Sequence, residues 1–220
     1  QSSEDVLSFA NNGSTMGNIS GSYNAGTGVM TLTSSGASAT LAQWQAALDA
    51  VTYNNSSHNP TGASRTISFV ANDGSLNSSA STKTVSLTAV DTAPTVTISG
   101  GITHEANQVA VAVDSGLTVA DVDNATLASA TASITGGFQS DQDVLAFTNN
   151  GSTMGNIGAS YNFFTGVLTL TSSGATATLA QWQAALDAVT YVNTSVTPNI
   201  ANRTVSFAVN DGTLGSTIAT

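Results

Sequence analysis

Arg-Thr-Val-Ser-Phe-Ala-Val-Asn, residues 203–210, alternates Thr204, Ser206 and Ala208 with Val205, Phe207 and Val209. A period of two sends alternate side chains to opposite faces of an extended chain, so this stretch reads as a β-strand with one buried face. Similar short runs of Val, Ile, Thr and Phe stand between clusters of Gly, Asn, Asp and Ser at residues 95–99, 116–120, 126–135, 144–148, 166–171 and, earlier, 83–90. Short strands at regular spacing with turn residues between them predict an all-β sandwich.

The same strand is written once before, as Arg-Thr-Ile-Ser-Phe-Val-Ala-Asn at residues 65–72. The correspondence extends far on both sides. Residues 1–82 align with residues 139–220 without a gap, and 57 of the 82 pairs are identical, a repeat with a period of 138 residues. That period exceeds the roughly 20 to 50 residues of solenoid units and falls in the size range of an independent domain. We therefore expect tandem modules, with residues 1–92 a partial first β-sandwich repeat and residues 93–220 a nearly complete second one. Residues 94–138 have no counterpart in the first copy. The expectation is an arbitrary boundary through a longer array. The alternative is an open sheet edge completed by another chain.

Thirteen acidic residues stand against three basic ones, Arg65, Lys83 and Arg203, for a formal charge of -10. Nucleic acid is excluded as a partner, because neutralising phosphates needs clustered Lys and Arg, and an anionic membrane surface makes the same demand. The chain has no cysteine, which removes disulfides and thiolate metal sites. No run of about 18 apolar residues is present, so direct membrane insertion is not expected, and no signal-peptide pattern appears.

One segment breaks the strand rhythm. Leu41, Trp44, Leu48 and Val51 recur at spacings of three and four, as do Leu179, Trp182, Leu186 and Val189. That spacing predicts one short helix per module, around residues 42–50 in the first, with each Trp plugging the core rather than presenting a sugar-stacking platform. Catalysis has little to work with. His58 is replaced by Val196 in the second copy, and the abundant Ser and Thr have no His or Lys base beside them. We expect no enzyme.

The remaining chemistry lies in carboxylates. In a simple up-and-down count of the strands, the loop holding Asp121, Val122, Asp123 and Asn124 shares one pole of the second module with the turn Asn210-Asp211-Gly212 and with the connector residue Asp91. Four carboxylates are thereby expected at one junction, and such a gathering is costly unless a cation sits within it. Calcium suits these donors, taking about six to eight oxygen ligands in flexible geometry. Asp5, the first-copy equivalent of Asp143, is expected to approach the junction from the other side. Asp-Gly and Asn-Asp-Gly are also ordinary turn chemistry, and for Asp211 alone that reading is preferred.

The order Ala93-Pro94, Glu105, then Leu117-Thr118-Val119-Ala120-Asp121-Val122-Asp123-Asn124, then Asp143-Val144-Leu145, Val189-Thr190-Tyr191 and Asn210-Asp211-Gly212 resembles the cadherin-like repeats of large bacterial adhesins of the RTX type. These are similar to the proteoglycan-type repeat as well, and the resemblance covers essentially the whole chain. It implies immunoglobulin-like and cadherin-like β-sandwich modules in extracellular arrays on biofilm or cell-surface attachment proteins. Calcium at each junction then restricts the hinge. By motif the implied ligands are Asp121, Asp123, the acidic connector residue and Glu105. The family's connector commonly reads Val-Asn-Asp-Ala-Pro, whereas this chain reads Val90-Asp91-Thr92-Ala93-Pro94, so the usual aspartate position is Thr92 and Asp91 lies one residue early.

The resulting expectation is a non-enzymatic extender segment at a bacterial cell surface, partnered by neighbouring repeats. Its candidate calcium ligands are Asp91, Asp121, Asp123, Asn124, Asp211, Glu105 and Asp5. Two other classes stay open. One is a calcium-dependent carbohydrate or cell-contact module using Tyr161, Phe163 and Phe164, where the first copy has Tyr23, Ala25 and Gly26. The other is a filament assembling through strand edges.

Overall fold

A computed structural model describes residues 4–103 and 109–220 and divides the chain into two compact units, residues 1–90 and 91–220. Unit 1 contains β1 (Asp5–Ser8), β2 (Ile19–Asn24), β3 (Val29–Ser34), α1 (Leu41–Asp49), β4 (Thr52–Asn55), β5 (Ser64–Phe69) and β6 (Ser81–Ser86). Its strands pair as antiparallel ribbons, β1 with β4, β2 with β3 and β5 with β6.

Unit 2 adds β7 (Thr95–Thr97), β8 (Val111–Ala112), β9 (Thr118–Ala120) and β10 (Ser129–Gly136). It then repeats the order of unit 1 as β11 (Asp143–Ala146), β12 (Ile157–Asn162), β13 (Val167–Ser172), α2 (Leu179–Asp187), β14 (Thr190–Asn193) and β15 (Thr204–Asn210). A four-stranded sheet, β12-β13-β10-β15, and a three-stranded sheet, β11-β14-β8, enclose one core, with β7 and β9 forming a separate ribbon. Every pairing is antiparallel. The all-β expectation holds, and the alternation read in residues 203–210 is realised: Phe207 and Val209 enter the core.

The strand count needs one correction. It passed over β8, and between β10 and β15 it overlooked β12 and β14 and so ran β13 parallel to β10. The register is antiparallel, Ser129 opposite Thr171 and Ser133 opposite Val167. The direction of β15 survives, because one overlooked strand precedes β13 and the other follows it. Ser129 at the start of β10 faces Asn210 at the end of β15.

Both helices begin on a capping box. The Thr40 hydroxyl accepts from the Gln43 N–H while the Gln43 side chain accepts from the Thr40 N–H, and Thr178 with Gln181 repeats the arrangement. These reciprocal bonds satisfy two amides that the first turn would leave orphaned. Trp182 is fully buried, and its indole N–H donates to the Leu127 carbonyl at 2.9 Å, which suits an aromatic carrying one polar atom. The expected core role of Trp182 is met. Trp44 is half-buried against Met16, Ile19 and Ala47. Leu41, expected on the same buried stripe, is instead 88% exposed, because the helical period brings its turn out beyond what unit 1 covers.

Candidate functional site

The acidic loop follows β9 and is organised by its own carboxylates. Asp121 Oδ1 accepts from the backbone N–H groups of Asp123 at 3.1 Å and Asn124 at 3.0 Å, which closes a tight turn. Asp123 Oδ2 accepts from the Thr92 N–H at 2.8 Å, and the Asn124 amide donates to Asp91 Oδ1 at 3.3 Å. These bonds tie the segment entering β7 to the loop leaving β9. That is consistent with the β7–β9 register, in which Thr95 faces Ala120. Thr92 thus contributes its backbone where the resembling family has a carboxylate.

Asp211 sits in the turn after β15. Its Oδ1 accepts from the N–H groups of Thr213 and Leu214, at 2.6 and 2.7 Å, which is the turn chemistry expected of it. The Ala128 N–H donates to the Asn210 carbonyl at 2.9 Å, so residues 121–128 run from the acidic loop to the edge of that turn. Two carboxylate oxygens in this region, Asp121 Oδ2 and Asp211 Oδ2, are shut away from solvent without a hydrogen-bond donor. Buried carboxylate oxygens are normally satisfied, so each marks a place where something positive is called for.

The four-carboxylate convergence is not reproduced. Among the described residues, no group of three or more His, Cys, Asp and Glu is gathered to hold a metal ion. Hydrogen bonds bring together Asp91, Asp121, Asp123 and Asn124, and Asp211 keeps a turn of its own. Glu105 lies outside the described residues.

Asp5 requires a correction. Its Oδ1 accepts from the Tyr53 hydroxyl at 2.5 Å and the Asn55 amide at 2.6 Å, and its Oδ2 takes Arg65 Nε at 2.8 Å. A guanidinium already neutralises it, and both of its oxygens hold hydrogen-bond donors. Asp143 repeats the arrangement in unit 2: Tyr191 at 2.6 Å and Asn193 at 2.8 Å on Oδ1, Arg203 Nε at 2.6 Å and the Gln139 N–H at 2.8 Å on Oδ2. Burial alone pushes the Asp143 carboxyl up. Arg203, Tyr191, Asn193 and Gln139 together outweigh it and hold the group below the ordinary carboxylate range. Burial and the Asp143 charge push the Tyr191 hydroxyl up to about 12.

Sequence reasoning missed this network, although the signal was there. Asp, Tyr, Asn and Arg recur at identical positions in both copies, and Arg65 and Arg203 are the only arginines of the chain. A second buried acid also went unread. Asp114 accepts from the Ser99 hydroxyl, from the Ser99 N–H at 2.6 Å and from the Gly116 N–H at 2.9 Å, and so pins the β7 strand end to the turn before β9.

The chain is similar to halomucin of Haloquadratum walsbyi (strain DSM 16790 / HBSQ001). The two are 39% identical over 142 residues, which is 62% of this chain and 2% of halomucin. The chain therefore spans a very small part of the relative it matches. No family model matches the chain, and no solved structure does. No helix among the described residues is long and apolar enough to cross a membrane.

Proposed function

We propose that this chain is a non-enzymatic extender segment of a large extracellular surface protein of the adhesin type, and that calcium bound at the acidic loop of unit 2 stiffens the connection between cadherin-like modules. The observation that carries the reading is the buried Asp121 Oδ2 without a donor, on a loop whose Asp123 Oδ2 takes the Thr92 N–H of the connector while Asp121 Oδ1 closes the turn. A chain duplicated at domain scale, poor in charge and similar to a small stretch of a very long protein, supports the extender role.

The donor chemistry fits a hard cation. Asp121, Asp123, Asp91 and Asn124 offer only oxygen donors toward a metal, and Asp121 Oδ2 has no competing hydrogen bond. These residues do not form a ready-made cage; Asp121 Oδ2 would anchor the ion, with neighbouring side-chain oxygens, backbone carbonyls and water supplying the rest of a six- to eight-oxygen shell. Asp211 Oδ2 is the further acidic donor at that end of β15. Bound calcium would neutralise the loop and cross-link it to the connector. Ordering three or four connector residues costs roughly 1–2 kcal/mol each in backbone entropy, which coordination offsets.

Calcium titration tests this. Binding to the folded form alone raises stability by about 2.7 kcal/mol at a hundredfold excess over the dissociation constant. The expected result is a higher melting temperature for unit 2 in calcium than in chelator, an altered maximum dimension in small-angle scattering, and loss of both effects in Asp121→Asn. Identical melting and scattering in calcium and chelator would sink the proposal.

A further inference from the structure

The hairpin turn between β12 and β13 is built the same way as its counterpart between β2 and β3. In unit 1 the Asn24 side chain accepts from the N–H groups of Gly26 and Thr27, at 2.9 and 3.2 Å, and the Asn24 carbonyl accepts from Gly28 at 2.8 Å. In unit 2 Asn162 does the same for Phe164 and Thr165, at 2.9 and 3.3 Å, and its carbonyl accepts from Gly166 at 2.9 Å. The turn depends on the Asn and on a Gly at positive φ, 70° and 69° in the two copies. It is indifferent to the pair between them, which is Ala25-Gly26 in one copy and Phe163-Phe164 in the other.

Two phenylalanines that the turn does not need are nevertheless displayed to solvent. Phe164 is 91% exposed and Phe163 57%. The Tyr161 ring meets Phe163 edge-on at 5.0 Å, and the Tyr161 hydroxyl is anchored on the Asp143 carbonyl at 2.8 Å, so the platform rests on a fixed base. Beside it lies a cleft of about 490 Å³ lined by Ser140, Asp141, Val144, Phe163, Phe164 and Thr194. The equivalent residues of the first copy are Ser2, Ser3, Val6, Ala25, Gly26 and Ser56, so four of the six differ, against 25 of 82 (82 − 57) along the whole repeat. Divergence between the copies is concentrated on this cleft.

We infer that the cleft is a binding site for a neutral saccharide, distinct from the acidic loop. The exposed rings of Phe163 and Phe164 offer apolar surface on which the C–H face of a pyranose ring can stack. The Asp141 carboxylate and the Ser140 hydroxyl bond ring hydroxyls. The Thr194 hydroxyl, whose proton goes to the Gln142 carbonyl at 3.2 Å, accepts one more. An apolar peptide would strip water from Asp141 without replacing its bonds. The net charge of -10 disfavours phosphorylated or acidic glycans. By register the turn lies beyond Val167, opposite Ser133, toward the end of β10 where Gly136 faces Thr204. The acidic loop precedes the other end, where Ser129 faces Asn210. Calcium at that loop is not needed here.

The test uses the full chain, isotopically labelled, with cellotetraose and chitotetraose as probes at about 10 mM, a level suited to millimolar binding. Expected are amide shift changes at residues 140–144, 162–166 and 194 with at least one sugar, none at residues 24–28, and the same response in chelator. The double variant Phe163→Ala/Phe164→Gly, which writes the unit 1 turn into unit 2, should keep its melting temperature and bind about tenfold or more weakly. No shift changes with either sugar, unchanged affinity in the double variant, or loss of binding in chelator would each overturn the assignment.

Discussion

Thirteen residues, Leu-Ala-Gln-Trp-Gln-Ala-Ala-Leu-Asp-Ala-Val-Thr-Tyr, occur unchanged at positions 41–53 and 179–191, and they meet two different fates. In unit 2 Trp182, Leu186 and Val189 are wholly buried, within a core that counts 20 buried residues among those described. In unit 1 the same helix covers a cluster of three, and Trp44, Leu48 and Val51 remain partly exposed. The helix forms in both, because its capping box is local. Burial differs because it depends on covering strands. In unit 2 the loop into β10 brings Leu127 over Trp182, and β8 pairs with β14 at Val111 and Ala112. Among the described residues of unit 1, no strand is laid across α1 as these are across α2. Secondary structure here belongs to the sequence of the element, and core formation to what is laid across it.

The sharpest way to break that comparison is to remove the same side chain twice. Trp182→Ala deletes a fully buried aromatic together with its bond to Leu127, and should cost about 4–5 kcal/mol. Trp44→Ala deletes a side chain already half in water, and should cost roughly 1–2 kcal/mol, the share of transfer energy its partial burial supplies. Calorimetric melts of the two variants, compared with the parent, separate the effects, because each variant shifts the transition of its own unit. Equal losses would show that the two units are covered alike in solution.

The buried acids form the next contrast. Asp143 is inaccessible and its Arg203 partner nearly so, whereas Asp5 and Arg65 keep 18% and 19% of their side-chain surface. Asp143→Asn leaves a buried guanidinium without its counter-charge and should destabilise unit 2 by about 3 kcal/mol. Asp5→Asn should cost less, since water reaches the pair. The pH dependence follows from the shifts. Asp143 is held below its unfolded value of about 3.9, so its contribution is complete above that pH and is lost as pH falls through the lower folded value. Tyr191 is raised to about 12, so its contribution is complete below about pH 10 and disappears as pH climbs toward 12. Thermal melts across pH 2–12 check both limbs. Tyr191→Phe should shrink the alkaline loss to the part that Tyr161 and Tyr53, also raised, supply, and should reduce the acid loss as well, because Asp143 loses one of the donors that hold it low.

Much of this was legible beforehand, for physical reasons that can be named. Period-two alternation exposed β15, and spacings of three and four exposed both helices, because each of these buries one continuous face. Strands β12 and β14 escaped notice, as did the two-residue β8. Ile-Gly-Ala-Ser-Tyr-Asn lies largely in the open, and Thr-Tyr-Val-Asn is short and polar at both ends, so neither carries an apolar stripe. The Asp143 network escaped because the pairing is set by fold: Asp143 and Arg203 stand 60 residues apart. Reading Asp5 as a free ligand overlooked the repeated arginine, which claims Asp5 in one copy and Asp143 in the other. Turn chemistry at Asp211 was visible, whereas the same chemistry at Asp121 was read as metal ligation. That one oxygen of each would be left buried without a donor was not visible, since it depends on how neighbouring backbone closes over the loop.

The smallest difference is the most direct probe of covering. Leu41 and Leu179 occupy the same first helical position behind the same Thr cap, yet Leu41 is 88% exposed while Leu179 packs against the unit 2 core. Replacing each by Ser changes helix propensity equally, so propensity cancels between the two variants. What remains is apolar contact. Leu179→Ser should lower the stability of unit 2 by about 1 kcal/mol, a fraction of the value for full burial of a leucine. Leu41→Ser should stay within about 0.5 kcal/mol of the parent, as exposed substitutions do. Differential scanning calorimetry of the two single variants resolves this gap. A loss at Leu41 as large as that at Leu179 would mean that a surface covers the first helix too, and would locate that cover over its amino-terminal turn.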